Sequence, residues 1–125
     1  DSRLDLIVAS FQADNVVIFI GSGDGTFAIG ATLFTGLRSA PSSVLVVDLN
    51  DDHWLDIVVA HFGDSSLGIF LGRGNGSVAE QMEFSLGYNA RPTSIAVGDW
   101  NNDGLLDISV ANPGSESVDL LLRLC

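Results

Sequence analysis

Lysine is missing from this 125-residue chain. Five arginines stand against sixteen aspartates and glutamates, a formal net charge of −11 at pH 7. Binding a duplex or an anionic bilayer by counterion release needs clustered basic side chains, so nucleic acid is excluded as a partner and a cation is the natural one. Cysteine occurs once, as Cys125. That rules out an internal disulfide and leaves either a free thiol or a half-cystine whose mate lies elsewhere. No apolar run approaches the roughly 20 residues that cross a bilayer, so no membrane insertion is expected of this segment. Helical periodicity is missing too: nowhere do apolar residues recur at i, i+3, i+4 and i+7 between capping signals, and no helix is expected. If the protein is secreted, the sequence is expected to be mature or internal, part of a longer chain.

What is present is apolar and repetitive. Hydrophobic residues make up 46% of the chain and the mean hydropathy is +0.36, which excludes a disordered acidic tail. Asp1, Asp52 and Asp103 are spaced by 51 residues, as are Asp5, Asp56 and Asp107, and Asp48 and Asn50 return as Asp99 and Asn101. "LDLIVASF" from residue 4 returns as "LDIVVAHF" from 55 and "LDISVANP" from 106, and "IFIGSGDGTF" from 18 returns as "IFLGRGNGSV" from 69. One unit has been copied without a gap.

The complete middle copy reads as four strands: "SSVLVVDL" (42–49), "DIVVAHF" (56–62), "SLGIFLG" (66–72) and the more polar "AEQMEFSLG" (79–87). Gly, Asn, Asp and Ser clusters separate them. A repeat of this length built from four antiparallel strands is a β-propeller blade. The fold expected is therefore all-β, one partial β-propeller domain over 1–125. It comprises a blade 1 remnant (1–41), a complete blade 2 (42–92) and a blade 3 remnant (93–125), about two and a half blades. Since propellers need roughly four or more blades to close, a fragment of a larger ring is expected, with apolar blade faces exposed.

Between first and second strands lies a nine-residue loop crowded with carboxylates. Asp99, Asn101, Asp103 and Asp107 offer side-chain oxygens at positions one, three, five and nine, and Leu105 offers its carbonyl at seven. Two carboxylates about 5 Å apart repel by roughly 3 kcal/mol at an effective dielectric of 20, so such a loop invites a cation. Oxygen-only donors suit Ca²⁺, whereas a zinc site would normally include Cys or His. Gly104 sits where the loop must turn sharply. An EF-hand is excluded, because position twelve is Val110 in a strand rather than a bidentate Glu. The earlier loop offers Asp48, Asn50, Asp52, the carbonyl of Trp54, and Asp56, with His53 in the glycine's place. Weaker binding is expected there. The first copy keeps only Asp1 and Asp5, too few donors to hold a metal.

"DWNNDGLLDISVAN" with the following "VDLLL", and "DLNDDHWLDIVVAHFGDSSLGIFLGRGNGS", resemble FG-GAP/VCBS-type repeats, the blades of the integrin alpha-subunit head. The resemblance covers essentially the whole chain. It implies a calcium-bearing, extracellular propeller used in adhesion or ligand binding, with metal ligation at the positions just named. The chain departs from the pattern at His53 and at "RLC" (123–125), where the other copies have "GSG" and "GRG".

Other signals read more simply. "GSGDGTF" and "GRGNGS" open no helix and are hairpin turns rather than phosphate loops. His53 and His61 have no nucleophile or second histidine ligand near them in sequence, and read as a loop and a strand residue. Trp54 and Trp100 flank the carboxylate loops, packing between loops or stacking on a sugar. Asn75-Gly76-Ser77 is either a glycosylation acceptor or an Asn-Gly turn. No catalytic constellation is visible, so a non-enzymatic module is expected, recognising a protein or glycan ligand with its loop faces. A propeller lectin, or a non-catalytic appendage of a larger secreted enzyme, are the rival readings.

Overall fold

The computed structural model describes residues 3–123, so Asp1 and Cys125 lie outside the described residues. Ten strands form three antiparallel sheets. The first contains β1 (Leu6–Ser10), β2 (Asn15–Gly21) and β3 (Phe27–Phe34) in that order. The second, complete, runs β4 (Pro41–Val47), β5 (Asp56–His61), β6 (Ser66–Phe70) and β7 (Met82–Ser85). The third holds β8 (Ser94–Gly98), β9 (Asp107–Asn112) and β10 (Ser117–Leu121). Each is a meander of neighbouring strands, as propeller blades are. The one helical element among the described residues is a single 3-10 turn, Pro113–Ser115, in the β9–β10 connection. Proline at its start fixes the φ that such a turn needs.

Burial explains why β5 reads as an unbroken apolar run instead of alternating. Every residue of β5 and β6 is buried, while every residue of β7 is exposed. Ile57, Val59 and Phe70 pack with Val16 of the first sheet, and Val58, Leu67 and Ile69 pack with Ile108 and Val110 of the third. Odd and even positions of one strand thus face two different neighbours, so both faces must be apolar. The outward faces of the flanking sheets are left half-covered: Leu6 and Val8 on one, Val118 and Leu120 on the other, are 42–70% exposed.

The backbone repeats as faithfully as the sequence. Left-handed residues recur 51 positions apart even where the side chain changes: Asp14, Ser65 and Glu116; Arg38 and Asn89; Ala40 and Arg91. Non-glycine residues in this region are uncommon and need outside support. At Asp14 the support is visible. Its carboxylate accepts the amides of Ala40 (2.9 Å) and Arg38 (2.8 Å), which tie the first sheet to the linker entering the second and hold the acid below its ordinary pKa. One blade later the Arg91 amide donates to Ser65 Oγ at 3.2 Å. Phe11 and its repeat partner Phe62 meet with centroids 5.6 Å apart, and the Arg91 guanidinium lies 5.7 Å from the Phe62 ring. Sheets are therefore joined at this end by polar latches and by aromatic contact, and through their middles by hydrocarbon.

Leu67, wholly buried between the second and third sheets, should be costly to truncate. Leu67→Ala is expected to lower stability by about 2–5 kcal/mol. Met82→Ala on the exposed outer strand should cost well under half as much, as measured by urea unfolding of both variants.

Candidate metal-binding loops

The two complete carboxylate loops fold alike. In the second blade Asp48 accepts the amides of Asp52 (3.1 Å) and His53 (2.8 Å) on separate oxygens, Asn50 Oδ1 accepts Asp52 N–H (3.2 Å), and Asp52 Oδ1 accepts Trp54 N–H (2.9 Å). In the third, Asp99 accepts the amides of Asp103 (3.0 Å) and Gly104 (2.8 Å), Asn101 accepts Asp103 N–H (3.2 Å), and Asp103 accepts Leu105 N–H (2.9 Å). In both, the Asn amide donates to the position-five carboxylate, Asn50 to Asp52 at 3.0 Å and Asn101 to Asp103 at 2.9 Å. His53 has φ 71° where Gly104 has 85°, and Asp51 matches Asn102 at 63° and 61°. The histidine therefore adopts the glycine's backbone, a conformation that carries a penalty for a side chain with a Cβ.

Position nine is different in kind. Asp56 and Asp107 are fully buried, and both oxygens of each are committed to main-chain donors. Asp56 accepts Leu49 N–H (2.9 Å) and Gly72 N–H (2.8 Å), and Asp107 accepts Trp100 N–H (3.0 Å) and Arg123 N–H (2.9 Å). Asp5 makes the matching bond to Gly21 N–H at 2.9 Å. One carboxylate thus closes the end of the first strand and the end of the third onto the start of the second. The approach is close: a Cβ on Gly21 would lie 2.0 Å from the Leu4 carbonyl oxygen, and one on Gly72 2.2 Å from that of Leu55. In the third copy this place belongs to Arg123. Its guanidinium reaches back to the second blade's loop, donating to the carbonyls of Leu49 (2.6 Å) and Asn50 (3.0 Å).

The structure also gathers residues that the sequence pattern passed over. Ligand atoms of Asp48, Asp51 and His53 all lie within 4.8 Å of one another, with His53 Nδ1 3.9 Å from Asp48 Oδ2. Asp51 stands at position four, which the ligand spacing skips, so no sequence signal marked it. The indole of Trp54 lies over Gly74, where an added Cβ would come within 2.5 Å of the ring, and Trp100 lies beside Gly98. Both pack on loop backbone, though about half of each remains exposed. The glycine-rich segments are turns, closed by Ser22 N–H to Thr26 O and Arg73 N–H to Ser77 O. Asn75 Oδ1 accepts the amide of Ser77 at 3.0 Å, and so supports its own turn.

Two overlapping segments, residues 1–59 and 48–110, match the profile of the FG-GAP-like repeat. The chain belongs to that family. No curated protein and no solved structure matches it. The second FG-GAP-like match begins at Asp48, the first residue of one carboxylate loop, and runs through the other at 99–107. It therefore spans one full period, from one loop through the next.

For this FG-GAP-like chain the position-nine carboxylate has a role that needs no metal. Asp56→Asn keeps the shape but offers only one acceptor oxygen, leaving a main-chain N–H unpaired at a cost of about 1–3 kcal/mol. The loss should persist in excess chelator, as followed by thermal melting. A variant that melts like the parent in chelator would reduce Asp56 to a ligand alone.

Proposed function

We propose that this chain is a calcium-binding, extracellular β-propeller module serving protein–protein recognition or cell adhesion, with no catalytic role. The observation that carries the reading is the pair of loops with matching hydrogen bonds at the same end of successive blades, in a chain with the FG-GAP-like repeat. Their donors are the right kind for Ca²⁺, all oxygens. Asp48, Asn50, Asp52, Asp56 and the Trp54 carbonyl would hold one ion, and Asp99, Asn101, Asp103, Asp107 and the Leu105 carbonyl another. Each carboxylate oxygen has two acceptor sites, so accepting one N–H leaves room for a cation. Bound calcium supplies positive charge that offsets the mutual repulsion of the carboxylates. It acts on the fold, and the loop faces and outer strands are left for a partner.

The lectin reading has less support. The cavity between the first and second sheets, about 610 Å³, is lined chiefly by hydrocarbon from Leu4, Ile7, Ile18, Ile20, Leu55 and Val78. Of its side chains only Arg3, Asp5 and Ser77 could answer a sugar's hydroxyls. A protein surface, bringing its own apolar side chains, suits it better.

Millimolar calcium should raise the melting temperature and a chelator should lower it. One site at a hundredfold excess over Kd adds about 2.7 kcal/mol through mass action. Asp52→Ala and Asp103→Ala should each remove part of the rise. A melting curve that ignores both calcium and chelator would sink the reading, and binding on a glycan array would move the ligand class to sugars.

The weaker loop gives a separate expectation. His53→Gly should relieve roughly 1 kcal/mol of backbone strain and tighten calcium binding at the second blade, read by calorimetric titration. An unchanged or weakened affinity would show that the His53 side chain itself contributes to the site.

A further inference from the structure

At the opposite end of the middle blade, away from the carboxylate loops, five residues converge that the repeat does not require. His61 ends β5, Asp64 lies in the β5–β6 turn, Ser66 opens β6, and Gln81 and Glu83 come from the approach to β7 and β7 itself. At the matching places in the first copy stand Ser10, Ala13, Asn15, Gly30 and Thr32. A blade can therefore be built without any of them. The register puts His61 opposite Ser66 and Glu83 opposite Gly68, all on the face turned to the first sheet.

His61 Nδ1 is 3.7 Å from Asp64 Oδ1 and 3.8 Å from Glu83 Oε1, and the three atoms lie within 4.8 Å of one another. The imidazole is wholly buried, whereas the two carboxylates are 40% and 50% exposed. Ser66 Oγ stands in the same cluster, 3.0 Å from Nδ1 and donating to Asp64 at 2.6 Å. Space for the ring comes from Gly68, where a Cβ would lie 2.9 Å from His61 Cε1 and 2.5 Å from Gln81 Oε1. On this inner side two buried polar atoms have no partner, His61 Nε2 and Gln81 Oε1. Gln81 is otherwise fixed, its amide donating to the Thr35 carbonyl and to Glu83 at 3.0 Å each. Burial holds the ring below its ordinary pKa against the pull of Asp64 and Glu83.

With the Ser66 hydroxyl hydrogen given to Asp64, the ring proton sits on Nδ1 and points to Ser66 Oγ, and an ion taking its place at Nδ1 between the two carboxylates would leave the proton on Nε2, on the Gln81 side. A metal-bound histidine commonly turns its far nitrogen to a carbonyl, and the unpartnered Gln81 Oε1 is the acceptor on that side. We infer that His61 Nδ1, Asp64 and Glu83 form a transition-metal site of mixed nitrogen and oxygen donors, of the class that takes Zn²⁺, separate from the oxygen-only loops. The carboxylates supply charge neutralisation and the buried ring supplies selectivity against Ca²⁺, which prefers oxygen. Entry is from the cleft between the first and second sheets, about 510 Å³, whose wall includes Phe34, Phe70, Gln81 and Glu83.

The chain has two histidines, so nitrogen-resolved NMR of the imidazole rings reports each one separately. Titration with Zn²⁺ should move the His61 ring signals, Nδ1 most, to saturation at one ion, and Ca²⁺ should leave them in place. Glu83→Gln and Asp64→Asn, both at exposed carboxylates, should each weaken that titration at least tenfold. His53→Asn should leave it unchanged, which separates this site from the Asp48–Asp51–His53 group. If Zn²⁺ moves only the His53 signals, or if Glu83→Gln binds as tightly as the parent, the inference is overturned. The calcium melting test is blind to either result.

Discussion

A carboxylate buried among backbone amides fixes the second and third blades. Taking an ionised acid out of water costs several kcal/mol unless donors replace the hydration, and Asp56 and Asp107 each find two main-chain N–H groups. Those donors belong to the ends of two different strands. The acid therefore decides where the first strand stops, where the third stops, and where the second begins. Backbone amides offer no alternative pairing, since at this edge the strand ladder has run out. At Gly21 and Gly72 the third strand is drawn in so closely that a Cβ would meet the preceding carbonyl, whereas the third copy makes the same amide bond from Arg123.

Once that edge is set, the rest of the loop has little freedom. Eight residues must leave one strand and re-enter beside it with their polar side chains turned inward onto their own amides. The result is a loop whose side-chain oxygens already accept hydrogen bonds and still carry lone pairs. Arg123 adds a link from outside, its guanidinium lying on the Leu49 and Asn50 carbonyls across the blade boundary. Anything that moves the second blade's loop also loads that contact, so the state of the loop and the docking of the third sheet are mechanically joined.

Much of this was legible in the sequence because copies expose one another. The 51-residue phase, the four-strand unit and the equivalence of the two loops needed only the spacing of Asp56 and Asp107 and the apolar runs that follow them. The structure departs where the information is not periodic. Position nine reads as one more ligand in the sequence, since a carboxylate's burial and its two amide partners depend on a strand sixteen residues further on. Asp51 escaped because the ligand spacing skips it, and the backbone that brings it near Asp48 and His53 is left-handed at Asp51 and at His53. His61 read as a plain strand residue, having no partner beside it in the chain. Its neighbours Ser66 and Glu83 arrive through register, five and twenty-two positions later, in a glycine-made space that no local pattern announces.

The two ends of the sheet stack therefore carry different kinds of information. At the loop end every blade must solve the same closure problem, so residue types recur and a departure such as His53 has to adopt the glycine's backbone. At the other end each blade meets its neighbour through side chains, and the demands are looser: Asp14 and Ser65 do one task with different chemistry, and Phe62 has Pro113 in its place one blade later. Looser demands let residues change without losing the fold. A blade is thus free to acquire a cluster like that around His61 at this end, while the same substitutions at the carboxylate edge would unpair buried amides. Variation collects where the backbone does not depend on it, and that is where the individual chemistry of a repeat protein is expected to lie.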